Sequence, residues 1–249
     1  MRCYKRRIFA GAICEQIYYR VSDGARIDRP RMPKQRTEAE KAAHRNSISR
    51  RLNARLVNEN FVAGESLYCT LTFDTKHEIY EFPNAKVILR NYVRTITRAY
   101  PGARIMAYMG RGYKNERIHF HMIVHGVTRE FLAAKWKYGA IKKIDVLRAH
   151  NFYDGVDHGA DFTGLANYCW EHWTPEQGGK RWMQTRTVKK PDAEAPTECI
   201  RTYSADRAPV PPKGYMLVES QETIFGYLYF KYVKIPENYN HRRARKRID

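Results

Sequence analysis

Residues 117–126, with the sequence RIHFHMIVHG, constrain the fold more than any other part of this chain. Apolar residues alternate with histidines here, and a period of two is typical of a half-buried β-strand. Successive side chains of a strand point to opposite faces, so one face is predicted to carry Ile118, Phe120, Met122 and Val124. The opposite face is predicted to carry His119, His121, Ile123 and His125. Imidazole is a common ligand of divalent metals, so His119 and His121 are candidate metal ligands; the alternative is a pair of structural histidines.

The charge of the chain limits the class of partner. Its 249 residues include 45 Lys and Arg but only 26 Asp and Glu, which leaves a formal charge of +19 at pH 7. Such a charge favours a polyanionic partner, with nucleic acid first and an anionic membrane surface second. No stretch approaches the ~20 apolar residues of a membrane span, and residues 8–17 lack the sustained apolar run of a secretory signal. We therefore expect nucleic-acid binding and no membrane anchor.

The number and spacing of the cysteines indicate the cellular compartment in which the protein is expected. There are five of them, scattered along the chain, and no two are spaced as C-x-x-C. This pattern predicts neither a zinc ribbon nor a framework of disulfides. Reduced thiols are typical of the cytoplasm, which is therefore the expected location.

Composition divides the chain into three expected parts. Residues 1–60 are predicted to form a basic N-terminal extension, and residues 61–235 the main domain. Residues 236–249 contain the run RRARKR and are expected to be a disordered basic tail. Within the extension, Thr37 and Glu40 are spaced as a capping box, which predicts the start of a helix.

Alternation and helical periodicity predict the remaining elements. Strands are predicted over 1–21 (one or two short strands or a hairpin), 65–74, 104–108 and 138–146. Residues 178–188 are a candidate for a further strand, and residues 215–233 for one or two more. Helices are predicted over 37–58, 85–100, 129–136 and 161–173, and a loop over 22–37. The strand over 104–108 and the histidine strand are expected to form an antiparallel hairpin. Asp161 or Thr163 is expected to cap the last helix.

Tyr168 lies in the middle of that last predicted helix. By the i+3 and i+4 rule it shares a helix face with Gly164, Glu171 and His172. A tyrosine in a helix is usually a core residue, and this alternative stays open. The polar neighbours favour a second interpretation, in which Tyr168 is a catalytic residue.

Three motifs in a fixed order carry a resemblance to a known family. They are Leu71-Thr72-Phe73 at a strand end, His119-Phe120-His121, and the helix with Tyr168. This set resembles the motifs of the HUH endonuclease superfamily, and within it the rolling-circle replication initiator (Rep) proteins of bacterial plasmids and phages. The resemblance covers most of the chain, including segments 135–139, 164–168, 181–182 and 189–191. It implies an α+β fold, with a central antiparallel sheet of about five strands in an RRM-like palm and flanking helices.

The resemblance also implies an activity. His119 and His121 would hold a divalent metal, Mg²⁺ or Mn²⁺, that polarises a scissile phosphate. Tyr168 would attack this phosphate in single-stranded DNA, release a 3′-hydroxyl and form a 5′-phosphotyrosine that is later rejoined. The substrate would be the hairpin of a replication origin, nicked sequence-specifically to initiate rolling-circle replication. The partners would be a host helicase and polymerase in the bacterial cytoplasm.

Two positions depart from the family pattern. Relatives often carry a lysine three residues after the tyrosine, where this chain has Glu171; His172, Lys180 or Arg181 are candidates for its role. Many relatives take a third, acidic metal ligand from the strand before the histidine strand, where residues 110–112 offer none. The candidates for the third ligand are Glu171, His172 and Asp74. The expected DNA contacts are Arg111, Lys180, Arg181, Lys189 and Lys190.

Other functions stay open at this point. A relaxase or a single-strand transposase would use the same chemistry. A non-enzymatic origin-binding or RNA-binding protein would keep His119 and His121 as structural residues. A zinc hydrolase is disfavoured, because acidic partners near the two histidines are missing. The chain has no G-x-x-x-x-G-K-[ST] loop, so a helicase would have to be a separate protein.

Overall fold

The computed structural model describes residues 2–21, 37–112, 117–174, 177, 179–199, 203–222 and 227–236. The loop predicted over 22–37 and the basic tail predicted over 236–249 lie outside these residues, apart from one residue at an end of each. Contacts within the chain define two compact units. The first unit contains Met1–Leu52, His150–Asp161 and Pro191–Asp249. The second unit contains Asn53–Ala149 and Phe162–Lys190.

The described residues contain four α-helices and thirteen β-strands. The helices are α1 (Glu38–Asn60), α2 (Phe82–Ala99), α3 (Arg129–Lys135) and α4 (Thr163–Glu171). The strands are β1 (Arg2–Ala10), β2 (Ile13–Val21), β3 (Leu67–Thr72), β4 (Arg104–Arg111), β5 (Ile118–His125), β6 (Ile141–Val146), β7 (Phe152–Tyr153), β8 (Val156–Asp157), β9 (Met183–Gln184), β10 (Asp192–Ala193), β11 (Thr197–Cys199), β12 (Tyr215–Glu222) and β13 (Leu228–Lys234). A 3₁₀ turn covers Thr75–His77. None of these helices is long and apolar enough to cross a membrane.

The second unit is built on a five-stranded sheet with the order β6–β3–β5–β4–β9, in which every neighbouring pair is antiparallel. This confirms the predicted α+β class, with an antiparallel sheet and flanking helices. The predicted hairpin is also observed, since β4 pairs with β5 and places Gly110 opposite His119 and Tyr108 opposite His121. On its other side β5 pairs with β3, where Thr70 lies opposite His121. The histidine strand is therefore the central strand of the sheet.

One face of β5 belongs to the apolar core, as its alternation predicts. The core residues of this strand are Ile118, Phe120, Met122 and Val124. Helix α2 packs on them with Leu89, Tyr92 and Ile96, which are spaced at three and four residues. Burying a large apolar side chain contributes about 1.5–3 kcal/mol to the stability of the fold. A one-residue slip of β5 would expose this set, so the core fixes which face presents the histidines.

The opposite face of the sheet is held to α1 and α4 by buried asparagines. The Tyr108 hydroxyl donates to Asn53 Oδ1 (2.7 Å), and Asn53 Nδ2 donates to the Ala166 carbonyl of α4 (2.7 Å). Asn58 Oδ1 accepts from the backbone N–H of Phe162 (2.9 Å), the residue before α4. Buried polar groups are costly unless they are paired, so these hydrogen bonds fix α4 relative to β4.

The predicted side-chain cap of α4 is wrong. The N-cap residue is Phe162, and no side chain caps the helix there. Thr163 is already the first helical residue, and its hydroxyl accepts from Asn58 Nδ2 (3.3 Å). The Asp161 carboxylate pairs with Lys231 (2.6 Å), and both side chains are buried. A long-range partner, Asn58, therefore takes the place of the local cap.

The first unit is built on a sheet with the order β10–β1–β2–β13–β12, and β11 also pairs with β1. Strands β1 and β2 form the hairpin predicted over residues 1–21. Strand β2 pairs in turn with β13, from the other end of the chain. The units therefore differ from the predicted boundaries at residues 60 and 235, because strands that are distant in sequence share one sheet. The predicted capping box of α1 is confirmed, since the backbone N–H groups of Thr37 and Glu40 each donate to the other's side chain (2.9 and 3.2 Å).

Candidate metal and tyrosine site

Three histidines from two elements form a cluster in the second unit. His119 and His121 lie on β5, and His172 is the C-cap residue of α4. One ligand nitrogen of each histidine lies within 4.8 Å of those of the other two. The Nε2 atoms of His119 and His121 are 3.0 Å apart. In the part of the chain that the structure describes, no other group of three or more His, Cys, Asp or Glu side chains comes together in this way, so this histidine cluster is the candidate metal site.

Of the three residues considered as a third ligand, the structure brings one into the cluster. The ring centroid of His172 is 4.3 Å from that of His121. Glu171 is exposed and lies outside the cluster, since adjacent residues of a helix point about 100° apart. Asp74 is exposed too, and its carboxylate accepts from two backbone N–H groups of the 3₁₀ turn that follows it. These placements favour His172 as the third ligand.

Each imidazole is oriented by a hydrogen bond. His172 Nδ1 donates to the carbonyl oxygen of Tyr168, one turn earlier in α4 (2.7 Å). His119 hydrogen-bonds with the backbone two residues earlier in the chain. His121 Nδ1 is 2.7 Å from the hydroxyl of Tyr68 on β3. Outer partners of this kind fix the ring plane and the tautomer of a metal-binding histidine.

The two histidines of β5 are neutral donors. Burial lowers the pKa of His119, and the neighbouring His172 lowers it further. Burial, followed by His119 and His172, lowers the pKa of His121 to about 3. Both rings are therefore uncharged at neutral pH and offer a lone pair without first losing a proton. A set of neutral imidazoles fits a first-row transition metal better than Mg²⁺, which prefers oxygen ligands.

Gly110 on β4 makes room for the histidine cluster. A Cβ atom at this position would lie 2.9 Å from His119 Nε2 and 3.0 Å from His172 Cδ2. Real Cβ atoms essentially never approach so closely, so any side chain here would displace both rings. In the sequence, this glycine only indicated that β4 supplies no ligand. In the structure, the absence of its side chain is what allows His172 to reach β5.

Gly110→Ala is therefore expected to weaken metal binding about tenfold or more, the size of effect that misplaced ligands produce. The added methyl group also overpacks the site, at about 1–3 kcal/mol of folding stability. The measurement is a Mn²⁺ titration monitored by electron paramagnetic resonance, with thermal unfolding alongside. Gly102→Ala is the matched control, because nothing lies within 4 Å of a Cβ at Gly102. Equal Mn²⁺ affinity in the two variants would contradict the role given to Gly110.

Tyr168 lies beside the histidine cluster. Its ring centroid is 5.3 Å from that of His121 and 4.5 Å from that of His172. The side chain is 47 % exposed, whereas Tyr92 and Tyr108 of the same unit are buried. Tyr168 is therefore not a core residue. It combines access from solvent with a backbone that the buried asparagines of α1 hold in place.

The C-terminal end of α4 is anchored by a residue that the sequence did not single out. The side-chain amide of Gln177 donates to the carbonyl oxygens of Met109 on β4 (3.0 Å) and His172 (3.2 Å). Gln177 is buried, so these bonds tie the backbone of His172 to the sheet. A glutamine in a polar, glycine-containing segment carries no sequence signal for such a role.

The five predicted DNA contacts occupy different settings. Arg181 lies over the rings of Trp170 and Trp173, with its guanidinium carbon 3.9 and 4.1 Å from their centroids. Arg111 donates to a backbone carbonyl (3.1 Å) and lies over the ring of Phe82. Both arginines are thus engaged with protein groups. The other three are exposed: Lys180, Lys189 and Lys190.

Comparison of the chain with protein-family models, with curated proteins and with solved structures gave no match. The functional argument therefore depends on the residues of the site and on their geometry.

Proposed function

We propose that this protein cleaves and rejoins single-stranded DNA through a covalent tyrosine intermediate at a metal-dependent site, and that it thereby initiates rolling-circle replication. The observation that supports this most strongly is the placement of an exposed tyrosine, Tyr168, against three clustered histidines. An isolated phenol has a pKa near ~10 and is a poor nucleophile at neutral pH. A site that uses one as a nucleophile needs a cationic group beside it, and the histidine cluster provides the ligands for such a group.

The positions of these side chains support the following reaction. A divalent metal held by His119, His121 and His172 would supply Lewis-acid polarisation of the scissile phosphate. The Tyr168 hydroxyl loses its proton to water as its oxygen forms a bond to phosphorus; the bond from phosphorus to the 3′-oxygen breaks, and that oxygen takes up a proton from water to become a 3′-hydroxyl. The product is a 5′-phosphotyrosine on α4. One phosphodiester replaces another, so attack by a 3′-hydroxyl reverses the step and rejoins DNA without ATP.

The direct test is incubation of the protein with Mn²⁺ and a pool of single-stranded oligonucleotides taken from the replicon that encodes it. We expect a covalent adduct that survives a denaturing gel and that is absent when EDTA is added or when the DNA is fully duplex. A non-enzymatic origin-binding protein would retard DNA on a native gel and form no adduct. A relaxase or transposase would form the same adduct, and the position of the cleaved sequence in the replicon distinguishes these from an initiator.

Cleavage is expected to depend on which metal is supplied. Three imidazole nitrogens disfavour Mg²⁺, whereas Mn²⁺ and the later first-row metals accept them. Adduct formation should therefore reach half-maximum at a lower concentration of Mn²⁺ than of Mg²⁺. The measurement is adduct yield against the concentration of each metal, after prior treatment with a chelator. A preference for Mg²⁺ would indicate that an oxygen ligand dominates the site.

Affinity for single-stranded DNA is expected to fall steeply with salt. Each phosphate contact releases counterions, so log K should fall by about 0.7 per contact for every tenfold increase in salt. Removing the cationic residues 242–249 should lower both the affinity and this slope, and should leave the cleavage position unchanged. Fluorescence anisotropy across a salt series measures the slope, and sequencing the cleaved ends measures the position. A changed cleavage position would show that these residues read bases.

A further inference from the structure

We propose that the Tyr68 hydroxyl is a positioning group that holds the metal ligand His121 in place beside the nucleophile Tyr168. This inference rests on the proposed function, but the part that concerns metal binding by His121 can be tested without DNA. Tyr68 lies on β3, beside the histidine strand, and is 8 % exposed. Its hydroxyl is 2.7 Å from His121 Nδ1, and the two rings are stacked with an interplanar angle of 7°.

The first consequence concerns the tautomer of His121. Its Nε2 atom faces His119 Nε2 at 3.0 Å, on the side where the ligand atoms of the cluster meet. For Nε2 to bind a metal, the proton of the neutral ring must be on Nδ1. In that tautomer the Tyr68 oxygen accepts from Nδ1–H, whereas the other tautomer places the lone pair on the wrong side of the ring. Tyr68 therefore holds the ring of His121 in place in its ligating form.

Among the three clustered histidines, His121 is the one whose ring is oriented by a side chain. The corresponding bonds of His119 and His172 go to the backbone, which no substitution removes. His121 depends instead on a side chain. The only other side chain that bonds its Nδ1 among the described residues is Thr70, whose hydroxyl is farther away at 3.4 Å. Tyr68 is thus the outer partner whose loss can be tested directly.

The second consequence concerns the nucleophile. Tyr68 bonds the ring of His121, and that ring lies beside Tyr168, with the two ring centroids 5.3 Å apart. By fixing the ring of His121, Tyr68 also fixes where a metal bound to it lies relative to the Tyr168 side chain.

Tyr68→Phe is the test, because it removes one hydroxyl and keeps the stacked ring. The matched control is Tyr92→Phe in the same unit, which removes a buried hydroxyl that donates to the Leu132 carbonyl (2.8 Å), remote from the histidine cluster. We expect Tyr68→Phe to bind Mn²⁺ and Co²⁺ about 10–100-fold more weakly than Tyr92→Phe, with an altered visible spectrum of the bound Co²⁺. At saturating Mn²⁺ the rate of adduct formation should still be reduced, with unchanged affinity for single-stranded DNA.

Two outcomes would overturn the inference: equal metal affinity and an equal Co²⁺ spectrum in the two variants, or an Nε2-protonated His121 in the wild-type protein loaded with a diamagnetic divalent metal such as Zn²⁺. The protonated nitrogen of His121 is identified from the ¹⁵N chemical shifts of ring-labelled histidine. This measurement uses the wild-type protein, so it tests the inference even if Tyr68→Phe does not fold. If no DNA yields an adduct with the wild-type protein, the proposed function fails. The metal affinity and the tautomer of His121 still test the role of Tyr68.

Discussion

Tyr168→Phe is expected to abolish the covalent adduct with DNA completely. The substitution removes the oxygen that attacks phosphorus, and no neighbouring group replaces it in the same position. The side chain is 47 % exposed, so loss of the hydroxyl should change packing and unfolding temperature little. The variant should still bind Mn²⁺ and single-stranded DNA, because its histidines and its cationic residues are intact. The measurements are adduct yield on a denaturing gel and DNA affinity by fluorescence anisotropy.

A second exposed tyrosine provides the control for this prediction. Tyr80 is 42 % exposed and its hydroxyl donates to Glu78 Oε2 (2.9 Å), outside the histidine cluster. Tyr80→Phe should therefore form the adduct as the wild type does. Normal adduct formation by Tyr168→Phe would exclude it as the nucleophile and would leave the metal site unaffected as a hypothesis.

His172→Ala is expected to remove metal binding and cleavage together. One of three ligands is lost, and the effect should exceed the roughly 10–100-fold that outer partners of a metal ligand contribute. His121→Ala should have the same consequence. Isothermal titration with Mn²⁺ measures the affinity, and the adduct assay measures cleavage. The structure separates this residue from the other two candidates, so Glu171→Gln and Asp74→Asn should bind Mn²⁺ like the wild type.

The comparison among these three variants is decisive for the third ligand. Loss of metal binding in Glu171→Gln or Asp74→Asn, with normal binding in His172→Ala, would require a site different from the cluster seen here. If all three variants lost the same small part of their Mn²⁺ affinity, the ion would be held mainly by His119 and His121.

The sequence predicted the parts of this site that lie within single elements. Alternation along residues 117–126 was enough to place His119 and His121 together. A strand has only two faces, and because the apolar residues occupy one of them, both histidines lie on the other. Helical spacing was enough to group Tyr168 with His172. The capping box at Thr37 is equally local, since both partners lie within one turn.

The rest depends on contacts between residues that are far apart in the chain. Whether Glu171 or His172 faces β5 is set by the rotation of α4, and that rotation is fixed by Asn53 and Asn58 of α1. The role of Tyr68 depends on the register between β3 and β5. Neither can be read from local periodicity.

The same reason explains the incorrect expectation for the start of α4 and the difference between the predicted boundaries and the two compact units. The start of α4 was assigned to a local cap, whereas Asn58 binds its N-terminus from α1. The domain boundaries assumed that neighbours in sequence fold together, whereas β2 pairs with β13. A pattern in sequence reports which residues share an element, and long-range pairing decides which elements share a sheet.

The measurement that tests the central claim most directly is mass spectrometry of the wild-type adduct. The protein is trapped after cleavage with Mn²⁺, the DNA is digested to a short remnant, and the peptides are sequenced. We predict a nucleotide attached through its 5′-phosphate to Tyr168, on a peptide that covers α4. A nucleotide on any other residue, such as Tyr153 of the first unit, or the absence of any adduct across the oligonucleotide pool, would contradict the account.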